Sequence, residues 1–147
     1  MKETSLVLFT LSAQTTVGAY STLAALQAVG GQSAATAASW FSAPALLVLC
    51  LLMAVGLAAA FFHLGMPLRG YRGLVNLGSS WLSRELLAFS LFGLLVALHT
   101  GWVLFFPAST PPTALIVPAA LSGIGLVYVM SQAYRLRTVP TWNNNAT

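Results

Sequence analysis

Half of the charged and histidine side chains of this sequence lie in one short stretch, HLGMPLRGYRGLVNLGSSWLSRE, which covers residues 63–85. Within it, His63 and Glu85 are the pair best suited to chemistry, because an imidazole close to a carboxylate can accept protons near neutral pH. If His63 ends one helix and Glu85 opens the next, both groups lie at similar depth at one end of a helix pair. The stretch therefore predicts a proton-accepting site.

Aromatic residues flank this pair and are placed to wall a flat apolar ring: Phe61, Phe62, Tyr71 and Trp81. A local explanation stays open for Glu85, because Ser83 is a candidate N-cap of the following helix and an anion is favoured in a first helical turn. His63 and the arginines of the stretch can equally be read as interfacial residues that anchor the helix ends.

The composition places the chain in the membrane. It has 147 residues, of which 58% are hydrophobic and 5% charged, with a mean hydropathy of +0.85, whereas a soluble domain has about 25% charged residues. The net charge of +4 comes from six basic residues with no patch of interleaved aromatics, so we expect no nucleic-acid partner. An integral membrane protein is predicted.

Four apolar runs are each long enough to cross a bilayer, which takes about 20 helical residues. They cover roughly 5–29, 43–63, 83–106 and 113–135. The predicted fold class is all-α, a single membrane domain over 1–147 built as an integral membrane helical bundle with four transmembrane helices. The glycine-rich connector 64–82 is long enough to hold a short interfacial helix around GYRGLVNL.

Polar or small residues share one side of the first predicted helix, at Thr10, Gln14, Gly18 and Ser21. Small side chains and interhelical hydrogen bonds are what membrane helices use to associate. We therefore predict that this side packs against neighbouring helices.

The remaining metal-binding residue types do not converge. His99 lies 14 residues after Glu85, about 21 Å further along a helix, so His63 and His99 cannot ligate one haem from both sides within this chain. We expect an interfacial role for His99 and a packing role for Cys50, the single cysteine. No metal site is predicted.

With four crossings, Lys2, the 64–82 connector and Arg135 fall on one face of the membrane. The positive-inside rule makes that face cytoplasmic.

Three segments resemble the membrane anchor subunit of bacterial dimethyl sulfoxide reductases: FTLSAQTTVGAY, HLGMPLRGYRGLVNLGSSWLSREL and YRLRTVPTW. The resemblance spans essentially the whole chain. It implies a subunit of the cell inner membrane that holds a molybdopterin catalytic subunit and a four-cluster iron–sulfur subunit. Such anchors oxidise menaquinol, pass its electrons to the clusters and carry no haem.

The family's quinol-site histidine matches His63 and its glutamate matches Glu85; Arg69, Tyr71 and Trp81 are further candidates for quinol binding. Family members have about eight membrane helices, so the sequence resembles their N-terminal half, as a truncated reading frame or a fragment. In such complexes the catalytic subunits lie outside the cytoplasm, which is opposite to the orientation given by the positive-inside rule. A purely structural anchor and a small transporter component are the two alternative functions.

Overall fold

The computed structural model consists of four α-helices: α1 (Lys2–Val29), α2 (Ala43–His63), α3 (Trp81–Phe105) and α4 (Thr113–Tyr134). It describes residues 2–29, 41–63, 81–107, 109 and 111–134. The predicted all-α class is confirmed for this part of the chain, and the continuous apolar runs gave helix ends close to the observed ones. The predicted interfacial helix around GYRGLVNL lies outside the described residues.

Contacts at two levels show that α1 and α3 run in the same direction. Near their beginnings, the rings of Phe9 and Phe89 lie 5.1 Å apart between centroids. Further along both helices, the rings of Tyr20 and His99 lie 5.8 Å apart. Residue numbers therefore increase together along the two helices.

The other two helices run in the opposite direction. Early in α2, Cys50 contacts Thr100 in the last part of α3, with Sγ and Oγ1 3.2 Å apart. Six residues later, a methyl group added at Gly56 would lie 3.7 Å from Cζ of Phe89, in the first part of α3, so α2 is antiparallel to α3. For α4, a methyl group at Gly123 would lie 3.1 Å from Cγ1 of Val17. The beginning of α4 meets the end of α1 around a cavity of about 160 Å³. The bundle is therefore up-down-up-down.

This topology collects four helix ends at one end of the bundle. They are the beginnings of α1 and α3 and the ends of α2 and α4, at Lys2, Trp81, His63 and Tyr134. The charged segments of the sequence adjoin these four termini, so the helix directions agree with the prediction that the charges share one face.

Among the described residues, three segments are long and apolar enough to cross a membrane: Ala43–Phe61, Ser83–Phe105 and Thr113–Gln132. The prediction of four such segments is confirmed for α2, α3 and α4 only. Helix α1 falls short because hydroxyl and amide side chains fill its middle, including Ser12, Gln14 and Thr16.

The inward face of α1 differs from the predicted one. Phe9, Ala13, Thr16, Val17 and Tyr20 are buried, at the spacing of one helical face. By contrast, the predicted packing residues Gln14 and Gly18 are exposed. The prediction was wrong for those two positions because, in a helix that is largely apolar all round, polarity alone does not identify the side that packs.

Candidate functional site

Glu85 is a buried carboxyl residue near the beginning of α3. Its side chain is 8% exposed and that of neighbouring Ser83 is 3% exposed. Helix α3 already includes Trp81, and its first turn contains no acidic residue. Ser83 is therefore not the N-cap and Glu85 is not a first-turn anion, so the local explanation offered by the sequence was wrong.

Trp81 and Arg84 form an interacting pair beside this carboxyl group. The guanidinium carbon of Arg84 lies 4.4 Å from the centroid of the Trp81 ring, within the range of a cation–π interaction. Trp81 also precedes Glu85 by four residues, which puts the two on adjacent turns of one helix face. An aromatic surface, a cation and a buried carboxyl group are thus brought together at the beginning of α3.

Helix α2 ends at His63, on the same end of the bundle. Gly56 and Phe89 mark a common level, because a methyl group on the first would contact the ring of the second. His63 lies seven residues beyond Gly56, about 10 Å, and Glu85 lies four residues before Phe89, about 6 Å. The backbone at both positions is therefore at a similar level, as the sequence predicted.

The rest of the predicted quinol site falls outside what the structure describes. Arg69 and Tyr71 lie in the undescribed range 64–80, and the side chain of His63 is likewise outside the described part. Of the five predicted residues, the structure gives side-chain surroundings for Glu85 and Trp81.

A second polar cluster lies further along α3, about 21 Å beyond the level of Glu85. The hydroxyl of Tyr20 and Nδ1 of His99 are 2.7 Å apart, and both side chains are fully buried. The ring of Phe41 lies 4.6 Å from that of His99 between centroids. Nε2 of His99 has no hydrogen-bond partner in the described part of the chain.

His99 is fully buried against α1 and the segment before α2, so its side chain packs inside the bundle, and its predicted interfacial role stays a prediction. Sequence reasoning missed Tyr20, its partner. The segment FTLSAQTTVGAY contains Tyr20 but also the exposed Gln14 and Gly18, so it does not single Tyr20 out.

Cys50 is half-buried and pairs with Thr100, whose hydroxyl also donates to the carbonyl of Val96. Within the described ranges, no three His, Cys, Asp or Glu side chains converge in a way that could hold a metal ion.

Several apolar helices and a buried carboxyl group at one end of the bundle define the class: a multi-pass helical membrane protein. Its family follows from comparison with known proteins. The family model described as "DMSO reductase anchor subunit (DmsC)" matches residues 1–147, and the chain belongs to that family.

Individual relatives agree with this assignment. The chain is 31% identical over 148 residues to an anaerobic dimethyl sulfoxide reductase chain of Haemophilus influenzae, covering 99% of this chain and 51% of the relative. It is 33% identical over 159 residues to the anaerobic dimethyl sulfoxide reductase chain YnfH of Escherichia coli, covering 99% and 50%. The chain thus spans about half the length of these relatives.

A shorter match extends to a different complex. One subunit of the sulfite dehydrogenase of Allochromatium vinosum is 48% identical over 50 residues, which is 34% of this chain and 15% of the relative. No solved structure matches the chain significantly.

Proposed function

We propose that this chain belongs to the menaquinol-oxidising part of a membrane anchor in a reductase complex of anaerobic respiration. Two partners complete the pathway: an iron–sulfur subunit with four clusters, which receives the electrons, and a molybdopterin subunit, which reduces the terminal acceptor. The proposal rests on family membership over residues 1–147. It also rests on relatives whose names identify them as chains of dimethyl sulfoxide reductases.

The observation that carries the site is the burial of Glu85 at the end of the bundle where α2 terminates at His63. Oxidation of one quinol to a quinone releases two electrons and two protons. The protons leave the two ring hydroxyls, so bases within hydrogen-bond reach of the hydroxyls lower the barrier. Glu85 and His63 are assigned this role, one base for each hydroxyl.

Trp81 is assigned to the wall of the quinol pocket. Its ring shares a helix face with Glu85, and Arg84 covers part of it with a cation. A quinol headgroup is a flat aromatic ring with two hydroxyls, and aromatic rings prefer offset-stacked or edge-to-face contacts with one another. Arg69 and Tyr71 are assigned to the same pocket from the family resemblance.

The electrons leave through the partner subunit. A site at the end of the bundle, close to the water phase, shortens the path to a cluster docked there and gives the protons an exit. We expect the connector arginines, together with Arg84, to help position this docking face.

In this proposal all four helices cross the inner (plasma) membrane. Helix α1 contacts α3 near its beginning through Phe9 and Phe89, and further along through Tyr20 and His99. Because Ser83–Phe105 of α3 is a candidate span, the contacting part of α1 has the same depth range. Its central hydroxyl groups at Ser12 and Thr16 face the bundle interior, where polar groups of membrane helices are tolerated.

The test uses the anchor assembled with its partner subunits, with oxidation of a menaquinol analogue as the readout. Glu85→Gln and His63→Ala should each abolish oxidation while the complex still assembles in the membrane. Glu3→Gln is the matched control, because Glu3 is the other acidic residue of the sequence, and it should leave turnover unchanged. Unchanged turnover in both site variants would exclude these two bases.

Binding of a fluorescent quinol-analogue inhibitor separates this proposal from a purely structural anchor. Stoichiometric binding by the wild-type complex, lost in His63→Ala, is the expected result. An assembled complex that binds no inhibitor would identify a structural anchor instead.

A further inference from the structure

The cavity of about 160 Å³ between the end of α1 and the beginning of α4 is large enough to hold a ligand. Its walls are mostly aliphatic and include Ala24 and Ala28 of α1 and Ile116, Val117 and Leu121 of α4. An apolar cavity of about 150 Å³ holds a benzene ring, whereas a helix is about 10 Å wide. The cavity therefore has room for a single ring or a short chain, but not for another helix.

Gln27 brings an unsatisfied hydrogen-bond acceptor to the cavity wall. Its side chain is 6% exposed, and Oε1 is buried without a hydrogen-bond partner in the described part of the chain. A buried amide oxygen without a donor is unfavourable. The torsion of a terminal amide is soft, so the oxygen can turn toward the cavity. A ligand with a hydrogen-bond donor would satisfy it there.

The cavity lies at the edge of the candidate membrane region, opposite the end that the charged segments adjoin. Tyr20 is level with His99, and Gln27 lies seven residues further along α1, about 10 Å. Gln27 is therefore level with about residue 106, just past the candidate span Ser83–Phe105. On the other wall, the span Thr113–Gln132 begins at this level. A ligand in the cavity would have its polar group near the membrane surface.

The walls indicate an uncharged ligand that arrives from the bilayer. Val117 and Leu121 line the cavity and are exposed on a candidate span, so the wall continues onto the lipid-facing side of α4. Among the described residues that line the cavity, none is charged. A charged group would leave water without a partner there, which is costly, whereas a hydroxyl would find Gln27.

We propose that this cavity binds the hydroxylated head of an uncharged amphiphile from the bilayer, with the hydroxyl donating to Oε1 of Gln27. The site is separate from the proposed site at Glu85, at the other end of the bundle, and does not depend on quinol oxidation. Two kinds of bilayer molecule have this chemistry: a quinol, which carries ring hydroxyls, and a diacylglycerol, which carries one free hydroxyl.

The experiment measures binding of two probes of similar shape to the purified full chain in lipid bicelles. In para-fluorophenol a hydroxyl occupies the position that a methyl group occupies in para-fluorotoluene, and saturable fluorine NMR shifts give both affinities, corrected for partition into lipid. Wild type should bind the phenol about twofold to tenfold more tightly, the range for one hydrogen bond. Gln27→Met should remove this preference, and Ala24→Leu should fill the cavity and weaken both probes at least about tenfold.

Gln14→Met and Ala25→Leu are the matched controls, because both residues are exposed on α1 and neither lines the cavity. Both should bind the probes within about twofold of wild type, with helix content by circular dichroism equal in all variants. Three results would each overturn the proposal: no saturable binding by wild type, an unchanged preference for the phenol in Gln27→Met, or equal effects of the cavity variants and their controls.

Competition then identifies the source of the ligand. Displacement of para-fluorophenol by a short-chain menaquinol analogue would identify a quinol, and displacement by dioctanoylglycerol would identify a lipid hydroxyl. Either result supports the site. Displacement by neither compound would mean binding at probe concentration only, and would overturn the proposal without bearing on Glu85.

Discussion

The hydroxyl of Tyr20 lies 2.7 Å from Nδ1 of His99, although 79 residues separate the two in sequence. Burial of apolar surface gives little drive for helix association in a membrane, because lipid is as apolar as a helix bundle; packing and interhelical hydrogen bonds have to supply it. The bond joins α1, the helix that falls short of a candidate span, to α3. It therefore fixes the register of these two helices.

Removing the Tyr20 hydroxyl should destabilise the bundle. Tyr20→Phe keeps the ring contacts with Phe41 and Phe92 but leaves both nitrogens of the buried His99 ring without a partner among the described residues. We expect a loss of about 1–3 kcal/mol, the usual cost of an unsatisfied buried polar group. Reversible unfolding in mixed micelles measures it.

Tyr128→Phe is the control, since Tyr128 is 60% exposed on α4 and should unfold like wild type. A second variant separates the hydrogen bond from packing. In the Tyr20→Phe background, His99→Leu should cost less than it does alone, because the buried imidazole then has no bond left to lose. Additive losses would contradict the assignment.

Gly123 is a glycine that the packing requires. A methyl group there would lie 3.1 Å from both Cε2 of Phe92 and Cγ1 of Val17, and both neighbours are buried, so a closely packed core opposes the shift that the methyl group requires. Overpacking should cost about 1–3 kcal/mol, and the better helix propensity of alanine should return about 1 kcal/mol. Gly123→Ala should therefore be destabilising on balance.

The comparison for this prediction is Gly125→Ala, two residues further along α4. A methyl group at Gly125 meets nothing within 4 Å, so only the gain in helix propensity applies, up to about 1 kcal/mol. The same micelle unfolding measurement should rank Gly125→Ala at or above wild type and Gly123→Ala below it. Equal stability of the two variants would mean that α4 does not pack closely on Val17 and Phe92.

The sequence predicted the helices well and their contacts poorly. Helix bounds follow from the lengths of apolar runs and the breaks between them, so α2 was placed at 43–63, as observed. The inward side of α1 could not be read in the same way. A membrane helix has apolar residues on all sides, so Gln14 was predicted to point inward and is exposed, while Tyr20 is buried.

The candidate site shows the same division. That Glu85 and His63 share one end of the bundle follows from the sequence alone, because His63 ends one predicted helix and Glu85 lies near the beginning of the next. The burial of Glu85 required tertiary structure, since the Ser83 capping alternative explains the same residue spacing. The stacking of Arg84 on Trp81 is a local contact between residues three apart on one helix. The partner of His99 was likewise missed, because no local pattern links residues on helices that are distant in sequence.

Trp81 should affect quinol affinity more than turnover, on the proposed function. Trp81→Leu removes the ring next to Glu85 and the surface for the Arg84 cation, but leaves both proposed bases in place. We expect KM for a menaquinol analogue to rise several-fold, the effect of about 1 kcal/mol, with kcat within about twofold of wild type.

Trp102→Leu provides the comparison at the other end of α3, where the indole nitrogen donates to Oγ of Ser109 at 3.1 Å. Its KM should stay at the wild-type value. If Trp81→Leu abolished kcat instead, the ring would be acting on the reacting groups rather than on binding, and its assignment to the pocket wall would be wrong.

The four-crossing topology makes a prediction about which residues react from which side. In a Cys50→Ala background, which removes the single native cysteine, exposed positions are replaced one at a time: Thr4→Cys, Ser109→Cys and Ser131→Cys. Since α1 is parallel to α3 and antiparallel to α4, Thr4→Cys and Ser131→Cys should react with an impermeant maleimide from one side of sealed vesicles, and Ser109→Cys from the other. Reaction of Thr4→Cys and Ser109→Cys from the same side would mean that α1 does not cross.

The side that labels Thr4→Cys is also the side of Glu85. The positive-inside rule predicts that this side is the cytoplasm, whereas the resemblance of the sequence to reductase anchors predicts the opposite face.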